Sequence, residues 1–88
     1  MNAQRRKVLK TIVGRLEDME IRRQLIIEEL YEVLAGEQEA LGNMPESLQE
    51  GERGQQMQEY IDAMEGVHDE LDELDLNDLM DQLREICE

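Results

Sequence analysis

Residues 8–41 carry one uninterrupted helical pattern, and that pattern restricts the chain to helix packed on helix. Apolar side chains recur in alternating steps of three and four through Leu9, Ile12, Leu16, Met19, Arg23, Ile26, Leu30, Val33, Glu37 and Ala40, eight of the ten being apolar. A flanking row seven apart adds Val13, Ile27, Leu34 and Leu41, interrupted by Glu20. A two-stranded coiled coil needs only a narrow seam, whereas this wider stripe suits a helix with at least two neighbours. Ile21 and Leu25 sit off the main stripe, one turn apart, either as single exposed residues or as a second contact surface. Gly14 and Gly36 each weaken the helix by about 1 kcal/mol relative to Ala, and neither has a proline beside it.

The stop follows in Gly42-Asn43-Met44-Pro45, where a glycine able to take positive φ precedes a proline that cannot continue a helix. Pro45 and Glu46 suit the start of a short turn over 45–50, pinned by Leu48, with a restart near Gly51 or Glu52. Apolar steps then run through Met57, Tyr60/Ile61, Met64, Val67, Leu71 and Leu74, after which the phase slips. Asp75 and Asp78 have the spacing of a capping box, and Leu76, Leu79/Met80, Leu83 and Ile86 form a last short pattern. No strand pattern of useful length and no internal repeat is present.

The expected class is therefore all-α, a single domain over 1–88 with helices at about 3–41, 52–74 and 76–87 and a turn at 42–51. Two long helices joined by a short loop pack antiparallel as a hairpin. With residue 43 as the turn, position i lies beside roughly 86 − i, given equal rise on both arms. Arg5 to Lys10 then meet residues 76–81, including Asp78 and Asp81. Two helices do not cover so wide a stripe, so a coiled-coil or four-helix-bundle homodimer completes the expectation. Its dimer and core residues are Leu16, Met19, Ile26, Leu30, Met64, Val67, Leu71 and Leu74.

Composition sharpens this. With 88 residues and only two tyrosines as aromatics, the chain has little to build a core from, and oligomerisation is a common remedy. Its net charge of −14 is segregated. Residues 1–23 carry seven bases and three acids, while 24–88 carry two bases and twenty acids. One Cys excludes an intrachain disulfide, and one His with one Cys excludes an ordinary zinc site within a chain. No apolar run approaches a membrane span, and no signal-peptide core follows the basic start, so a cytoplasmic protein is expected.

Catalytic chemistry finds little support. Ser47, the only serine, and His68 are separated by about 31 Å along a helix, beyond hydrogen-bond reach. Cys87 stands between Ile86 and Glu88, where neighbouring acids disfavour a thiolate, so it reads as a packing residue. Glu65-Gly-Val-His68 has the Glu-x-x-His spacing of di-iron bundles, and Glu20, facing position 66 in the expected register, would add carboxylates in a dimer. Met64, Val67 and Leu71 occupy the core-facing steps, however, which puts Glu65 on the wet side and makes His68 a flanking residue. The run from Asp69 to Asp78 lacks the glycine of an EF-hand loop, and Gly51-Glu-Arg-Gly54 lacks the lysine of a phosphate loop. No enzyme activity, metal or cofactor is expected. Direct nucleic-acid binding is disfavoured by the net charge.

The stretch Asn43-Met44-Pro45-Glu46-Ser47-Leu48-Gln49-Glu50-Gly51-Glu52-Arg53-Gly54, followed by Met57, resembles a segment of small uncharacterised acidic helical-hairpin proteins of bacteriophages and related mobile elements. Asn2 to Lys7 and the later acidic heptads are similar too. The resemblance implies a phage or prophage origin, a host-cell cytoplasmic location and a helical hairpin, with no activity to carry over.

The acids themselves suggest a role. Residues 59–88 carry net −11 over about 45 Å of helix, and two such helices approach the charge density of duplex DNA, one per about 1.7 Å. The leading expectation is an interaction protein whose acidic face, Glu65, Asp69, Glu70, Asp72 and Glu73, binds a basic surface of a host protein and inhibits a nucleic-acid-binding protein as a DNA mimic. The alternative is a coiled-coil adaptor or oligomerisation module whose acids maintain solubility. A dimeric carboxylate-bridged metal bundle is the third. Six methionines suit either core filling or an adaptable contact surface.

Overall fold

The computed structural model describes residues 1–88 and is all-helical, with no strand. Its helices are α1 (Ala3–Gly42), α2 (Glu46–Gln49), α3 (Glu52–Glu73) and α4 (Leu76–Cys87). Asn2 opens α1, its Oδ1 accepting the Arg5 backbone N–H at 2.8 Å and satisfying one of the donors a helix start leaves orphaned. Asp75 does the same for α4, accepting from the Asp78 N–H at 2.9 Å.

The stop after α1 works differently from the expected glycine cap. No glycine takes positive φ. Pro45, with no N–H to give, ends the ladder, and the Gln49 side-chain amide donates back to the Met44 and Gly42 carbonyls at 2.7 and 3.4 Å. Leu48, expected to pin this turn, is exposed; Gln49 is the half-buried residue that holds it. The turn then closes on Gly54, where an added Cβ would collide with the Gln49 backbone carbonyl. Only a residue without a side chain fits there.

The chain divides into two compact units, one of Met1–Leu25 with Leu74–Glu88 and one of Ile26–Glu73. In the first, Val13 and Met80 are buried, with Leu9, Leu16, Leu76 and Leu83 half-buried around them. In the second, Leu34 and Ile61 are buried, supported by half-buried Ile27, Leu30, Leu41, Met57, Met64 and Leu71.

These lists divide the expected dimer and core residues into two groups. Leu16, Leu30, Met64 and Leu71 do turn inward, but Met19, Ile26, Val67 and Leu74 are exposed. On α1 the flanking row at 13, 20, 27, 34 and 41 faces inward instead, a rotation of roughly 50° about the helix axis at 100° per residue. On α3 His68 rather than Val67 faces in, and on α4 Met80 rather than Leu79. The cause is the breadth of the stripe: adjacent rows are both apolar, and one neighbouring helix covers only part of them.

The register also differs. The expected rule put residue 69 opposite Glu17 and residue 48 opposite Gln38. In the first unit Glu17 instead accepts from Arg84 Nη2 at 2.7 Å, and in the second Gln38 Nε2 donates to Glu65 at 3.0 Å. The connection at 43–51 is wide and holds a helical turn of its own, so pairing does not start from residue 43. Accordingly Arg5–Lys10 do not meet residues 76–81: the Arg6 carbonyl lies 4.0 Å from Cys87 Sγ, Asp78 accepts from Gln82, and Asp81 from Arg84.

Gly54→Ala forces the α2–α3 backbones apart and is expected to destabilise the chain by about 1–3 kcal/mol. Gly36→Ala meets nothing within 4 Å and should instead stabilise it, by up to about 1 kcal/mol. Urea unfolding of both variants at one protein concentration checks the opposite signs.

Candidate interaction surfaces

Three surfaces emerge from the helix geometry. The first is acidic. On α3, Glu59 and Glu73, Asp62 and Asp69, and Glu65 and Asp72 stand seven or fourteen apart, so they form three adjacent rows on one side of the helix. Every residue of the expected acidic face, Glu65, Asp69, Glu70, Asp72 and Glu73, is exposed. Glu65 accepts from Gln38, and Asp69 Oδ1 lies 3.3 Å from His68 Nδ1. Glu70, Asp72 and Glu73 form no ion pair, which leaves their charge to solvent.

The second kind is apolar, occurs in each unit, and includes Met19, Ile26, Val67 and Leu74 from the expected dimer and core residues. On α1 Ile12, Met19, Ile26 and Val33 recur every seven residues and all lie open to solvent. On α3 Tyr60, Val67 and Leu74 repeat at the same interval, Leu74 just past the helix end, as do Leu79 and Ile86 on α4. Within the second unit, Val33 and Ala40 on α1 and Met57, Tyr60, Ala63 and Met64 on α3 line an open groove of about 700 Å³, with Glu37 and Arg53 beside them. The sequence signal for this surface was the apolar row itself; what it lacked was the inward direction. The third is smaller: Ile21 and Leu25, one turn apart on α1, are both exposed.

The groups considered for chemistry are occupied otherwise. Glu20 is buried in the first unit, on the inward row of α1. Arg23 Nε donates to its Oε2 at 3.0 Å, Arg23 Nη2 to its Oε1, and Gln24 Nε2 to Oε1 at 3.2 Å. Those hydrogen bonds, the Arg23 ones foremost, hold the Glu20 carboxyl below its ordinary pKa, against an opposing contribution from burial. A buried carboxylate with these three donors is a structural charge rather than a metal ligand. His68 is half-buried and packs on Tyr31, ring centroids 6.2 Å apart and tilted at 51°. Glu65 turns to Gln38, so Glu65 and His68 do not converge, and nowhere do three His, Cys, Asp or Glu side chains gather as a metal site. Cys87 is half-buried in an open cleft with Lys10, Val13, Arg84 and Glu88. No helix is long and apolar enough to cross a membrane.

Because the folded pKa of Glu20 is depressed, its charge contributes stability that is present above the unfolded value and lost as pH falls through the folded one. Wild type should therefore exceed Glu20→Gln in stability near neutrality, with the gap closing as pH drops below the ordinary glutamate value of 4.5. Urea midpoints of the two proteins across that range check the sign. Against known protein families, curated proteins and solved structures, the chain matches none.

Proposed function

We propose that the protein is a non-enzymatic helical interaction protein of phage origin that self-associates through its apolar face and offers its acidic face to a basic protein surface. In this reading α1 and the α3–α4 arm form an antiparallel hairpin, and two hairpins pair as a four-helix homodimer. The observation that carries it is segregation on α3. Tyr60 and Val67 lie on one side of the helix and the acidic rows on another, so covering the apolar side leaves Glu65, Asp69, Asp72 and Glu73 facing solvent. A dimer then displays two acidic helices at once. Such a surface attracts a protein built to bind phosphates, and occupying that site inhibits it.

A second reading, the adaptor, is favoured by Ile21 and Leu25, whose exposure one turn apart on α1 gives a partner an apolar foothold. The two readings separate by salt. Exposed charges are screened within about 10 Å at 0.1 M and about 3 Å at 1 M, whereas apolar contacts persist.

Capture of bacterial lysate proteins on the immobilised chain, with mass-spectrometric identification, is expected to retain basic nucleic-acid-binding proteins at low salt and release them at high salt. The triple reversal Glu70→Lys, Asp72→Lys, Glu73→Lys should abolish that retention while circular dichroism still reports helix. Equal capture by the reversed protein overturns the acidic-face reading. Salt-resistant capture that disappears with Ile21→Glu and Leu25→Glu favours the adaptor instead.

A further inference from the structure

We infer that the groove between α1 and α3 in the unit Ile26–Glu73 receives the same groove of a second copy, the two meeting antiparallel across a two-fold axis at Tyr60. This rests on the self-association proposed above and specifies its surface and direction. Every residue that lines the groove lies in that one unit.

Charge sets this groove apart from the rest of its unit. Residues 26–73 carry fifteen acids and a single base, Arg53, which amounts to the chain's entire net charge of −14. The α3 side of the groove, from Arg53 through Tyr60 to Met64, nevertheless includes none of the eight acids of α3, and α1 contributes only Glu37. The groove is thus the neutral, apolar strip of a strongly acidic unit, with Val33 58% and Tyr60 55% exposed along its 700 Å³. A copy of the same charge meets least repulsion there. A basic partner is drawn to the acid-bearing faces and meets Arg53 at this one.

The two charged residues that remain select the occupant and its direction. Arg53 is exposed and Glu37 half-buried, and neither forms an ion pair. Gln38 donates to Glu65, so Glu37, beside it in sequence, lies near the Met64 end of the groove. Arg53 stands at the other end, about 16 Å away along α3. A parallel copy lays Arg53 on Arg53 and Glu37 on Glu37. The antiparallel copy lays each Arg53 by the partner's Glu37, twice over, with Tyr60, midway between, against its own counterpart. Met57 and Met64, half-buried and seven apart on α3, supply adaptable side chains that close around the ring.

Sedimentation and cysteine cross-linking of the full chain test this, the latter in a Cys87→Ser background, since a disulfide needs Cα atoms within about 7 Å. Under mild oxidation Tyr60→Cys is expected to give a covalent dimer. Gln56→Cys, four residues off the axis, and Asp62→Cys, on the acidic rows, should each give little. Ala63→Glu should raise the dimer Kd about 30-fold or more with helix content kept. Arg53→Glu is expected to weaken association about tenfold, and Arg53→Glu with Glu37→Arg to restore it to within about threefold. A wild type that sediments as a monomer at all concentrations overturns both self-association and this seam. A dimeric wild type in which Asp62→Cys links as readily as Tyr60→Cys overturns the groove as its surface and leaves self-association standing. Gln56→Cys linking to itself as readily as Tyr60→Cys overturns the antiparallel direction. Dimerisation that survives Ala63→Glu while low-salt capture of basic proteins is lost gives the groove to the basic partner and overturns the second copy as its occupant.

Discussion

The constraint on which this molecule turns is the mismatch between the width of its apolar stripes and the number of helices available to cover them. A helix in a globular core buries a stripe about 100° wide against two or more neighbours. Here, within each unit, α1 has one long partner, α4 in the first and α3 in the second. One seam buries Val13 and Met80, the other Leu34 and Ile61, and the remaining apolar residues stay half-covered or open. Only four apolar side chains are fully buried, two in each unit, so each core is small.

Much of the helical layout was legible because local chemistry writes it. Pro45 stops α1, and the Asp75–Asp78 spacing starts α4; each acts on residues within one turn of itself. What periodicity left open was rotation about the axis. Rows at 12, 19, 26, 33 and 13, 20, 27, 34 are one residue apart, both mostly apolar, and a partner helix decides between them. The presence of Glu20 argued against the second row, yet that row is the buried one, because Arg23 and Gln24 supply the donors a buried carboxylate needs from the same helix. His68 turned inward for a related reason: Tyr31 gives its ring an aromatic partner, while Val67, more apolar, is left outside. Register was missed because the width of a connection is a three-dimensional property. Gln49 folding back on Met44 and Gly54 makes 43–51 a folded element rather than a pivot.

Charge does different work in different places. Glu20–Arg23 is a pairing that burial requires, since an unpaired carboxylate on the inward row would be costly. Arg84 with Glu17 and Asp81 is half-exposed, and pairs of that kind contribute about 0–1 kcal/mol; they mark which surfaces lie together more than they hold them. The acidic rows of α3 form no intramolecular ion pair with a base other than the contact of Asp69 with His68; they repel one another, and the Gln38 and Gln58 amides donate to Glu65 and Asp62.

Salt therefore acts in opposite directions on the two surfaces. Each copy carries −14, so bringing two together in the proposed homodimer is opposed at long range. Screening removes that long-range repulsion and leaves apolar contacts intact, so under the proposed function moderate salt favours self-association. The same screening removes what would draw the proposed basic partner to Glu70, Asp72 and Glu73. A single salt titration that follows mass and partner binding together would see one rise as the other falls. A protein whose acids served only to keep it apart from its own kind would show the first trend without the second.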